Sequence, residues 1–535
     1  MKVYDFATTT AGWARVALRG PAGSTVTITY GEKLRANGTV DNAGLQSYSY
    51  TLRGGGLETY EPSYSYDGFR YVQIDTPAEV TVESVQGQRV HTAVPRTGDF
   101  TSSSRLLNRY QDAQADTILN NLHSIPTDTP MYEKRGWTAD AHLYADSAIA
   151  NFGMENFYEN WMRTHRDDQN PDGTIGVYVP TSPGIRGLID PVWSASYVLI
   201  DWDLYWYYGD TRVLADNYAG MKLWLEHFED TIAPTGYIYM GFSFGDWVAP
   251  GFELPPEGTR LVGTAYIYKT ATTLAKIARA LGRESEAEHF DTLAATIAAA
   301  FNTTFLDKLA EAYYDNKSAG YRQTSNLVPL SLGIVPDADR QAVLANLVAD
   351  IEARGRHLNT GALGTKILLP LLTDTGNAEL AYEVATNPTY PGWGYWFQAL
   401  GVTTMWEEWH AGSRSHDHAF LGTVDDWLYQ RVAGIEPAAP GYTKIKIQPY
   451  PVGDLTHAAA HVESPLGRVS SQWARKHDRF KLRVDVPVGA TAEILVPASD
   501  GDAVKAPPDA PFGGMRGGYA AFETGSGTYV FHSTM

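Results

Sequence analysis

The sequence predicts a multidomain α and β protein with an N-terminal antiparallel β-sandwich, a central (α/α)6 barrel and a C-terminal antiparallel β-sandwich. The chain of 535 residues is too long for one ordinary hydrophobic core. The spacing of its apolar residues changes from strand-like to helical and back, and about a dozen helical patterns fill the middle. The predicted domains are residues 1–97, 98–435 and 436–535.

The first domain is predicted from strand patterns in residues 1–97. Residues 26–30 alternate apolar with polar side chains, and residues 13–18 and 71–74 are short apolar-rich runs. Turns rich in glycine, asparagine and proline separate these runs. Short strands joined by such turns indicate an antiparallel β-sandwich.

A helical period begins near Ser102, where Leu107, Tyr110 and Ile118 follow a serine-rich N-cap at mostly three- and four-residue spacing. An open helical solenoid requires a sequence repeat of fixed period, and the sequence has none. Antiparallel helix pairs, about twelve helices in all, therefore favour a closed (α/α)6 barrel with its cavity among the loops at one end. The predicted helices are 103–122, 139–152, 154–167, 192–208, 211–229, 263–281, 284–304, 325–333, 337–354, 362–373, 376–386, 394–404 and 416–432.

The third domain is predicted from the return of strand patterns after residue 437. Apolar and polar residues alternate over 444–447, 467–473, 480–486 and 491–496, and long helical periods are absent there. This arrangement indicates a C-terminal antiparallel β-sandwich.

The composition excludes several classes of function. The formal net charge is -19 and no lysine- or arginine-rich run occurs, which argues against a nucleic-acid or anionic-membrane partner. The absence of cysteine excludes disulfides, thiolate metal sites and a cysteine nucleophile. No stretch approaches the roughly 20 apolar residues that span a bilayer, and the first residues lack a signal-peptide pattern, so a cytoplasmic protein is expected.

Aromatic residues are abundant, with 14 Trp and 33 Tyr. One interpretation is a large core with tyrosines at the surface. The other is a sugar-binding site, because the C–H faces of sugars pack against flat rings while their hydroxyls meet carboxylates and amides. Composition alone leaves both interpretations open.

The first candidate segment is residues 128–140, between two predicted helices. It brings Asp128, Glu133 and Asp140 together with Trp137, and its proline and glycine residues indicate a loop. Three carboxylates beside an indole are candidates for acid–base chemistry. From the spacing alone, a solvated charged loop with a helix N-cap is the favoured alternative.

The second candidate segment is residues 393–410, which holds four tryptophans and two glutamates in a short stretch. Such a concentration is hard to explain as surface, although an aromatic core segment with a solvated Glu408 is an alternative. That alternative leaves Glu407 flanked by aromatic rings with a desolvation cost and no evident compensation, which favours a functional site. The residues are Trp393, Trp396, Trp406, Trp409, Glu407 and Glu408.

Weaker candidates lie elsewhere. Asp246 precedes Trp247, and Asp190 lies three residues before Trp193, so each carboxylate is paired with an indole; for Asp190, N-capping of a helix is the favoured alternative. Residues 415–418 place two histidines around an aspartate, but no HExxH pattern or third ligand at the usual spacing is present. We therefore predict no metal and no cofactor.

Together these segments resemble glycoside hydrolase family 78, the bacterial α-L-rhamnosidases. The family signature D-C-P-x-R-E-K-x-G-W is matched from Asp128 to Trp137, with Thr129 in the Cys position and Tyr132 in the Arg position. A second signature, W-G-Y followed by A-T-T-x-W-E-x-W, is matched between residues 393 and 409. A third, S-x-N-H-x-x-x-G-S-V, is matched over residues 415–424 with Asp417 in the Asn position. The resemblance covers nearly the whole chain, including residues 31–34 and 68–71.

The resemblance implies hydrolysis of terminal non-reducing α-L-rhamnosyl residues, with inversion, from a rhamnosylated small molecule or oligosaccharide. It implies Glu133 as general acid and Glu407 as general base. The substrate-binding residues that it implies are Asp128, Asp190, Asp246 and His418 for the sugar hydroxyls, and Trp137, Trp193, Trp247, Trp393 and Trp406 for the aromatic walls.

A general acid must keep its proton near neutral pH, so burial and the nearby Asp128 are expected to raise the pKa of Glu133, while Lys134 and Arg135 are expected to face away. Three alternatives stay open: an inverting (α/α)6 hydrolase acting on another deoxy-hexose or a uronic acid, a non-catalytic carbohydrate-binding homologue, and a polysaccharide lyase. The lyase is disfavoured, because it would require Tyr, His and Arg around a uronate rather than two glutamates.

Overall fold

Strands fill the first 90 residues of the computed structural model, which describes residues 1–181, 187–501 and 503–535. They form an antiparallel sheet in the order β5-β2-β7-β1-β6, with β8 also on β1, and β3 pairs with β4. The strands are β1 (Lys2–Arg19), β2 (Thr25–Gly31), β3 (Lys33–Leu34), β4 (Val40–Asp41), β5 (Ser47–Thr51), β6 (Leu57–Tyr60), β7 (Asp67–Asp75) and β8 (Thr81–Arg89).

Strand β1 pairs with three other strands of this sheet, β6, β7 and β8. Its first part pairs with β7, whereas Gly12 to Arg19 pair with β8, and the register with β7 shifts between Asp5 and Thr10. The alternation predicted over 26–30 is confirmed, because every second side chain of β2 is fully buried in the domain core. Buried side chains of β1, β2 and β7 together form most of this core.

The helical part begins after a short strand, β9 (Gly98–Ser102). Helix α1 starts where the Ser104 side chain accepts a hydrogen bond from the Leu107 amide at 3.4 Å. Neighbours in the chain pack together, α7 on α8, α9 on α10 and α11 on α12. The helices are α1 (Arg105–Asn120), α2 (Thr138–Leu143), α3 (Ala145–Asn151), α4 (Glu155–Asp168), α5 (Ser196–Tyr208), α6 (Thr211–Ile232), α7 (Arg260–Ala280), α8 (Glu284–Phe305), α9 (Gln323–Ser331), α10 (Asp337–Ala353), α11 (Ala362–Asp374), α12 (Ala378–Thr386), α13 (Trp393–Tyr395) and α14 (Val424–Trp427), and a hairpin of β10 (Leu306–Asp307) and β11 (Ala312–Tyr313) follows α8.

Two predicted helices are shorter than expected, and the residues left outside them form one long loop. The segment predicted over 394–404 ends with a π-helical turn at Leu400, because Gly401 adopts a φ of 66° in the left-handed region. The segment predicted over 416–432 has no helical turn before Phe420. Residues 401–419 therefore form one long loop, called here the 401–419 loop.

The remaining strands form two sheets, in the orders β12-β13-β17-β20-β19 and β18-β21-β16-β15-β14-β9. The predicted antiparallel sandwich contains one exception, since β13 pairs with β17 in parallel. Strand β9 lies in the predicted helical domain but is the edge strand beside β14. The strands are β12 (Ile435–Pro437), β13 (Lys444–Ile447), β14 (His457–Ser464), β15 (Gly467–Lys476), β16 (Arg479–Val486), β17 (Thr491–Pro497), β18 (Val504–Lys505), β19 (Phe512–Arg516), β20 (Tyr519–Thr524) and β21 (Gly527–Thr534). Among the described residues, no helix combines the length and apolar character needed to cross a lipid bilayer.

Candidate active site

A cavity with about 390 Å³ of space lies where the loops of the helical part meet. It brings together residues that are far apart in the chain, from the 128–137 loop, the segments before α5 and α7, and the 401–419 loop. Its walls combine carboxylates with aromatic rings. The lining residues are Asp128, Glu133, Trp137, Asp140, Trp193, Phe244, Trp247, Glu407, Arg414, His418 and Phe420.

Residues 128–137 form a loop in which Asp128 and Arg135 are hydrogen-bonded to each other, and Glu133 lies between them in the chain. The Arg135 amide donates to Asp128 Oδ1 at 2.8 Å, and the Asp128 amide donates to the Arg135 carbonyl at 2.9 Å. Glycine is required at position 136, because a Cβ there would lie 2.1 Å from the Val179 carbonyl oxygen. These contacts fix the backbone that carries Glu133.

Lys134 and Arg135 face away from the cavity, as expected. The Lys134 ammonium donates to the Tyr66 carbonyl at 2.5 Å and lies 4.6 Å from the centre of the Tyr66 ring. The Arg135 guanidinium lies 4.9 Å from the centre of the Tyr178 ring. Neither cation lines the cavity.

Glu133 is held by an indole and a guanidinium. Trp137 Nε1 donates to Glu133 Oε2 at 2.6 Å, and Arg414 donates to Glu133 Oε1. Burial pulls the pKa of Glu133 up, but the hydrogen bonds and charge of Arg414, together with Trp137, outweigh burial and hold the pKa below its ordinary value. The expected raised pKa is therefore wrong for this arrangement, because the sequence argument did not include Arg414.

Glu407 lies on the 401–419 loop and is 8% exposed. Burial raises its pKa, and the nearby His418 and Arg414 partly offset that rise. Its Oε2 atom is buried without a hydrogen-bond partner among the described residues, and Arg414 Nε lies 3.8 Å away from it. One guanidinium therefore contacts both Glu133 and Glu407.

A buried pair formed by His418 and Asp140 lies beside the two glutamates. His418 Nε2 is 2.7 Å from Asp140 Oδ1. Burial lowers the pKa of His418, but the hydrogen bond and charge of Asp140 prevail and raise it above its ordinary value. Burial also raises the pKa of Asp128 well above its usual range. The cavity thus combines an imidazole with several carboxyl groups.

The aromatic wall is organised around Phe244. The centre of its ring lies 5.7 Å from that of Trp137, 4.8 Å from that of Trp193 and 5.5 Å from that of Trp247. Such a concave set of flat rings presents apolar surface beside the polar groups of the cavity. Phe244 was not predicted from the sequence, although three aromatic residues close together, Phe242, Phe244 and Trp247, could have indicated an aromatic wall here.

Three family models match the chain in order. The model described as the bacterial alpha-L-rhamnosidase concanavalin-like domain matches residues 1–91, the bacterial alpha-L-rhamnosidase 6 hairpin glycosidase domain matches residues 95–432, and the C-terminal domain of the same family matches residues 434–509. The chain belongs to the bacterial α-L-rhamnosidase family.

Individual members of that family are similar over the whole chain. A Streptomyces avermitilis protein named alpha-L-rhamnosidase is 35% identical, over 99% of this chain and 51% of its own length. The structure of alpha-L-rhamnosidase from Dictyoglumus thermophilum has a TM-score of 0.93 at 36% identity, covering 100% of this chain and 62% of that one. The Streptomyces avermitilis alpha-L-rhamnosidase complexed with L-rhamnose has a TM-score of 0.92 at 34% identity, covering 99% and 52%. The chain thus spans about half the length of the curated relatives that it matches.

Two aspartates that the resemblance to the α-L-rhamnosidases assigned to the sugar lie outside the cavity lining. Both oxygens of Asp190 accept backbone hydrogen bonds at 2.8 Å, from Val192 and Phe244. Burial raises the pKa of Asp190 to about 7, although those amides act in the opposite direction. Asp190 therefore fixes the backbone of Phe244, and its contact with sugar hydroxyls stays a prediction.

Asp246 has a similar structural role at the start of α11. Its Oδ2 accepts from Thr324 Oγ1 at 2.5 Å and from the Gly361 amide at 2.7 Å. Its Oδ1 accepts from the amides of Leu363 and Gly364 at 2.9 and 3.0 Å. A carboxylate on the free amides of a helix N-terminus is stabilising, and Asp246 is not among the residues that line the cavity. The sequence does not distinguish such a cap from a sugar ligand.

Two tryptophans that the same resemblance assigned to substrate binding also lie elsewhere. Trp393 is fully buried, and its Nε1 donates to the Leu421 carbonyl at 2.7 Å. Trp406 stacks on His416 with ring centres 3.6 Å apart and lines a separate cavity between the helical part and the N-terminal domain. Neither tryptophan is among the residues that line the cavity with Glu133 and Glu407, and their contact with substrate stays a prediction.

Arg414 is the main residue that the sequence argument missed. Its guanidinium lies 5.0 Å from the centre of the ring of Tyr132, the residue that replaces the arginine of the family signature. The 401–419 loop therefore brings a guanidinium over the position where the signature of the α-L-rhamnosidases has one. The role of Arg414 could have been inferred from two facts: Tyr132 replaces the arginine of the first signature, and Arg414 lies just before the third signature, which begins at Ser415.

Proposed function

We propose that this chain hydrolyses terminal non-reducing α-L-rhamnosyl residues of a rhamnosylated small molecule or oligosaccharide, with inversion at the anomeric carbon. The observation that carries the proposal is that Glu133 and Glu407 line one cavity and are both in contact with one guanidinium. Membership of the α-L-rhamnosidase family and the similarity to a structure complexed with L-rhamnose support the choice of sugar.

In this mechanism Glu133 protonates the leaving glycosidic oxygen, and Glu407 removes a proton from the water that attacks the opposite face of the sugar. Inverting enzymes separate the two carboxyl groups by roughly 6.5–9.5 Å, which leaves room for that water. Because the transition state resembles an oxocarbenium ion, the carboxylates also stabilise its positive charge.

The protonation states require Arg414 to change partners. Glu133 must carry a proton to act as an acid, and its contact with Arg414 favours the charged form. Glu407 must be charged to act as a base, and its burial favours the neutral form. Arg414 leaving Glu133 for Glu407 as the glycosidic oxygen arrives corrects both states at once, and the nearby His418 also lowers the pKa of Glu407.

The aromatic wall accounts for the choice of a deoxy-sugar. The C6 methyl group of rhamnose needs an apolar contact, which the rings around Phe244 supply. The hydroxyl groups need polar partners, and Asp128 and the His418–Asp140 pair line the same cavity. No step of the mechanism calls for a metal or a cofactor.

The proposal includes the finer architecture of the helical part, a closed (α/α)6 barrel. Packing of α7 on α8, α9 on α10 and α11 on α12 supports helical hairpins. The family model that matches residues 95–432 is described as a 6 hairpin domain. A ring of hairpins places loops from distant parts of the chain around one end, which is where Glu133 and Glu407 lie.

The experiment is rhamnose release from p-nitrophenyl-α-L-rhamnoside by the full chain, with the first-formed anomer identified by NMR. Glu133→Gln and Glu407→Gln should each lower kcat by about 10²–10⁴-fold, as expected for a lost general acid or base. The matched control is Glu383→Gln, which removes a carboxylate paired with Arg356 at the surface.

Each competing function has its own outcome in this design. Hydrolysis of another p-nitrophenyl glycoside in preference to the rhamnoside would replace the sugar, and a retained anomer would reject inversion. Rhamnose binding by calorimetry without hydrolysis would indicate a non-catalytic homologue, and an unsaturated, absorbing product would indicate a lyase. Near-normal kcat in either glutamine variant would reject the role assigned to that residue.

A further inference from the structure

The stretch of the 401–419 loop that carries Arg414 is held from outside the helical part, by the N-terminal domain. The Lys33 ammonium donates to the carbonyls of Ser413 and Arg414 at 2.8 and 2.9 Å. Glu32 Oε2 accepts from the His416 amide at 2.7 Å, and Glu32 is 2% exposed. Two adjacent charged residues that follow β2 therefore bind the backbone of one four-residue stretch.

The backbone of Arg414 is fixed on both of its sides. Its carbonyl accepts from Lys33, and its amide donates to Glu408 Oε2 at 2.8 Å. Within the residues that the structure describes, no carboxylate lies within 4.0 Å of the Lys33 ammonium, so its hydrogen bonds go to the loop carbonyls. The lysine therefore binds the loop backbone, and its charge also favours the charged form of the adjacent buried Glu32.

Fixing this backbone determines where the guanidinium lies. From Arg414 the side chain extends over Tyr132 and reaches Glu133, with Glu407 3.8 Å from Nε. A long arginine side chain loses considerable conformational freedom when it is held in one position, so a rigid backbone origin favours that position. Lys33 and Glu133 are therefore connected through a single residue, Arg414.

We propose that the N-terminal domain is a working part of the active site, in which Lys33 and Glu32 are positioning residues that place the Arg414 guanidinium between Glu133 and Glu407. The inference rests on the proposed function, because it concerns the two glutamates that this function uses. Without the cation between them, two carboxylates in one cavity disfavour each other's charge, and their titrations move. Loss of Lys33 should therefore change the pH dependence of the reaction as well as its rate.

The test combines Lys33→Met, Arg414→Met and the double variant in the full chain. Lys33→Met should lower kcat/KM by about tenfold, as expected when one charge-assisted contact is lost, and should shift the pH profile in the same direction as Arg414→Met. If Lys33 acts only through Arg414, its substitution should have no further effect in the Arg414→Met background. Arg35→Met is the control, since it removes a cation two residues away that pairs with Asp41.

Glu32→Ala provides a second route, because it removes the acceptor of the His416 amide. Glu32→Gln is its matched control, since glutamine keeps an acceptor there and removes only a charge that acts on Glu407 directly. The effect of Glu32→Ala beyond that of Glu32→Gln should vanish in the Arg414→Met background. Independent effects that multiply in the double variants would overturn the proposal, as would a lower melting temperature in Lys33→Met with an unchanged pH profile.

Hydrogen exchange of peptides covering residues 405–419 gives a readout that does not need turnover. Exchange should be faster in Lys33→Met and unchanged in Arg35→Met, and equal exchange in both would refute the positioning role. Absence of rhamnose release by the wild-type chain would refute the proposed function instead, so the two failures are distinguishable.

Discussion

Replacing Arg414 by methionine should move the acidic limb of the pH–activity profile to higher pH. Because the pKa of Glu133 lies below its ordinary value and that of Glu407 above it, the acidic limb of the free enzyme follows Glu133 and the alkaline limb follows Glu407. Arg414 favours the charged form of Glu133 and holds its pKa below the ordinary value. Methionine keeps an apolar stem and removes the charge, so Glu133 should hold its proton to a higher pH.

The size of the shift follows from the contacts of Arg414. A hydrogen bond to a charged group contributes about 1.5–3 kcal/mol, and one pKa unit corresponds to about 1.36 kcal/mol. The Arg414 and Glu133 side chains are 46% and 29% exposed, so solvent screens part of the interaction. With that discount we expect a shift of about one pH unit. The alkaline limb, which follows Glu407, should rise less, because Arg414 Nε is 3.8 Å from Glu407 Oε2.

The assay is kcat/KM for p-nitrophenyl-α-L-rhamnoside from about pH 4 to about pH 9, where both limbs of a two-carboxyl profile are visible. Arg356→Met serves as the control, since it changes the net charge equally at a surface pair with Glu383. An acidic limb that stays in place in Arg414→Met, or moves to lower pH, would refute the reasoning. An equal shift in Arg356→Met would attribute the effect to net charge.

Three further predictions follow from the buried polar groups and the aromatic wall. Asp246→Asn should lower the free energy of unfolding by about 1–3 kcal/mol, because hydrogen bonds at the N-terminus of α11 are weakened, with little change in KM; a raised KM at normal stability would restore its role as a sugar ligand. Since the folded pKa of His418 is raised, its pairing with Asp140 stabilises the fold fully below about pH 6.5 and less as pH rises through the folded pKa. The melting-temperature deficit of Asp140→Asn should therefore shrink at alkaline pH, and a constant deficit would contradict this. Phe244→Ala should raise KM for the rhamnoside severalfold more than KM for a glycoside whose sugar lacks a methyl group, and equal losses on both substrates would reject the proposed methyl contact.

Elements that depend on local spacing were predictable from the sequence. The alternation of β2 and the three- and four-residue spacing of α1 depend only on which side faces a core, and the structure confirms both. The pairing of β9 with β14 was not predictable, because periodicity does not specify which strand lies beside another. The length of the 401–419 loop depended on one glycine, Gly401, in the left-handed region.

Site residues were predictable where the residue type itself indicates the chemistry. They were less predictable where the role depends on which way a side chain points in the fold. Glu133 and Glu407 lie in segments whose composition and signatures mark them. Asp246 has the same neighbours whether its oxygens meet a sugar or backbone amides, so only the structure identifies it as a helix cap. Arg414 is a lone cation in its segment, and its importance comes from Lys33 and Glu133, both nearly 300 residues or more away along the chain.

The pairing of β9 with β14 joins the strand that precedes α1 to the domain that follows the helical part in the chain. A truncation that removes everything after residue 435 would leave Gly98–Ser102 as an unpaired strand just ahead of α1, exposing an aggregation-prone edge. A chimaera that exchanges the C-terminal domain must therefore also exchange β9. The helical part is consequently not expected to fold cleanly when it is cut out at the predicted boundaries, residues 98 and 435.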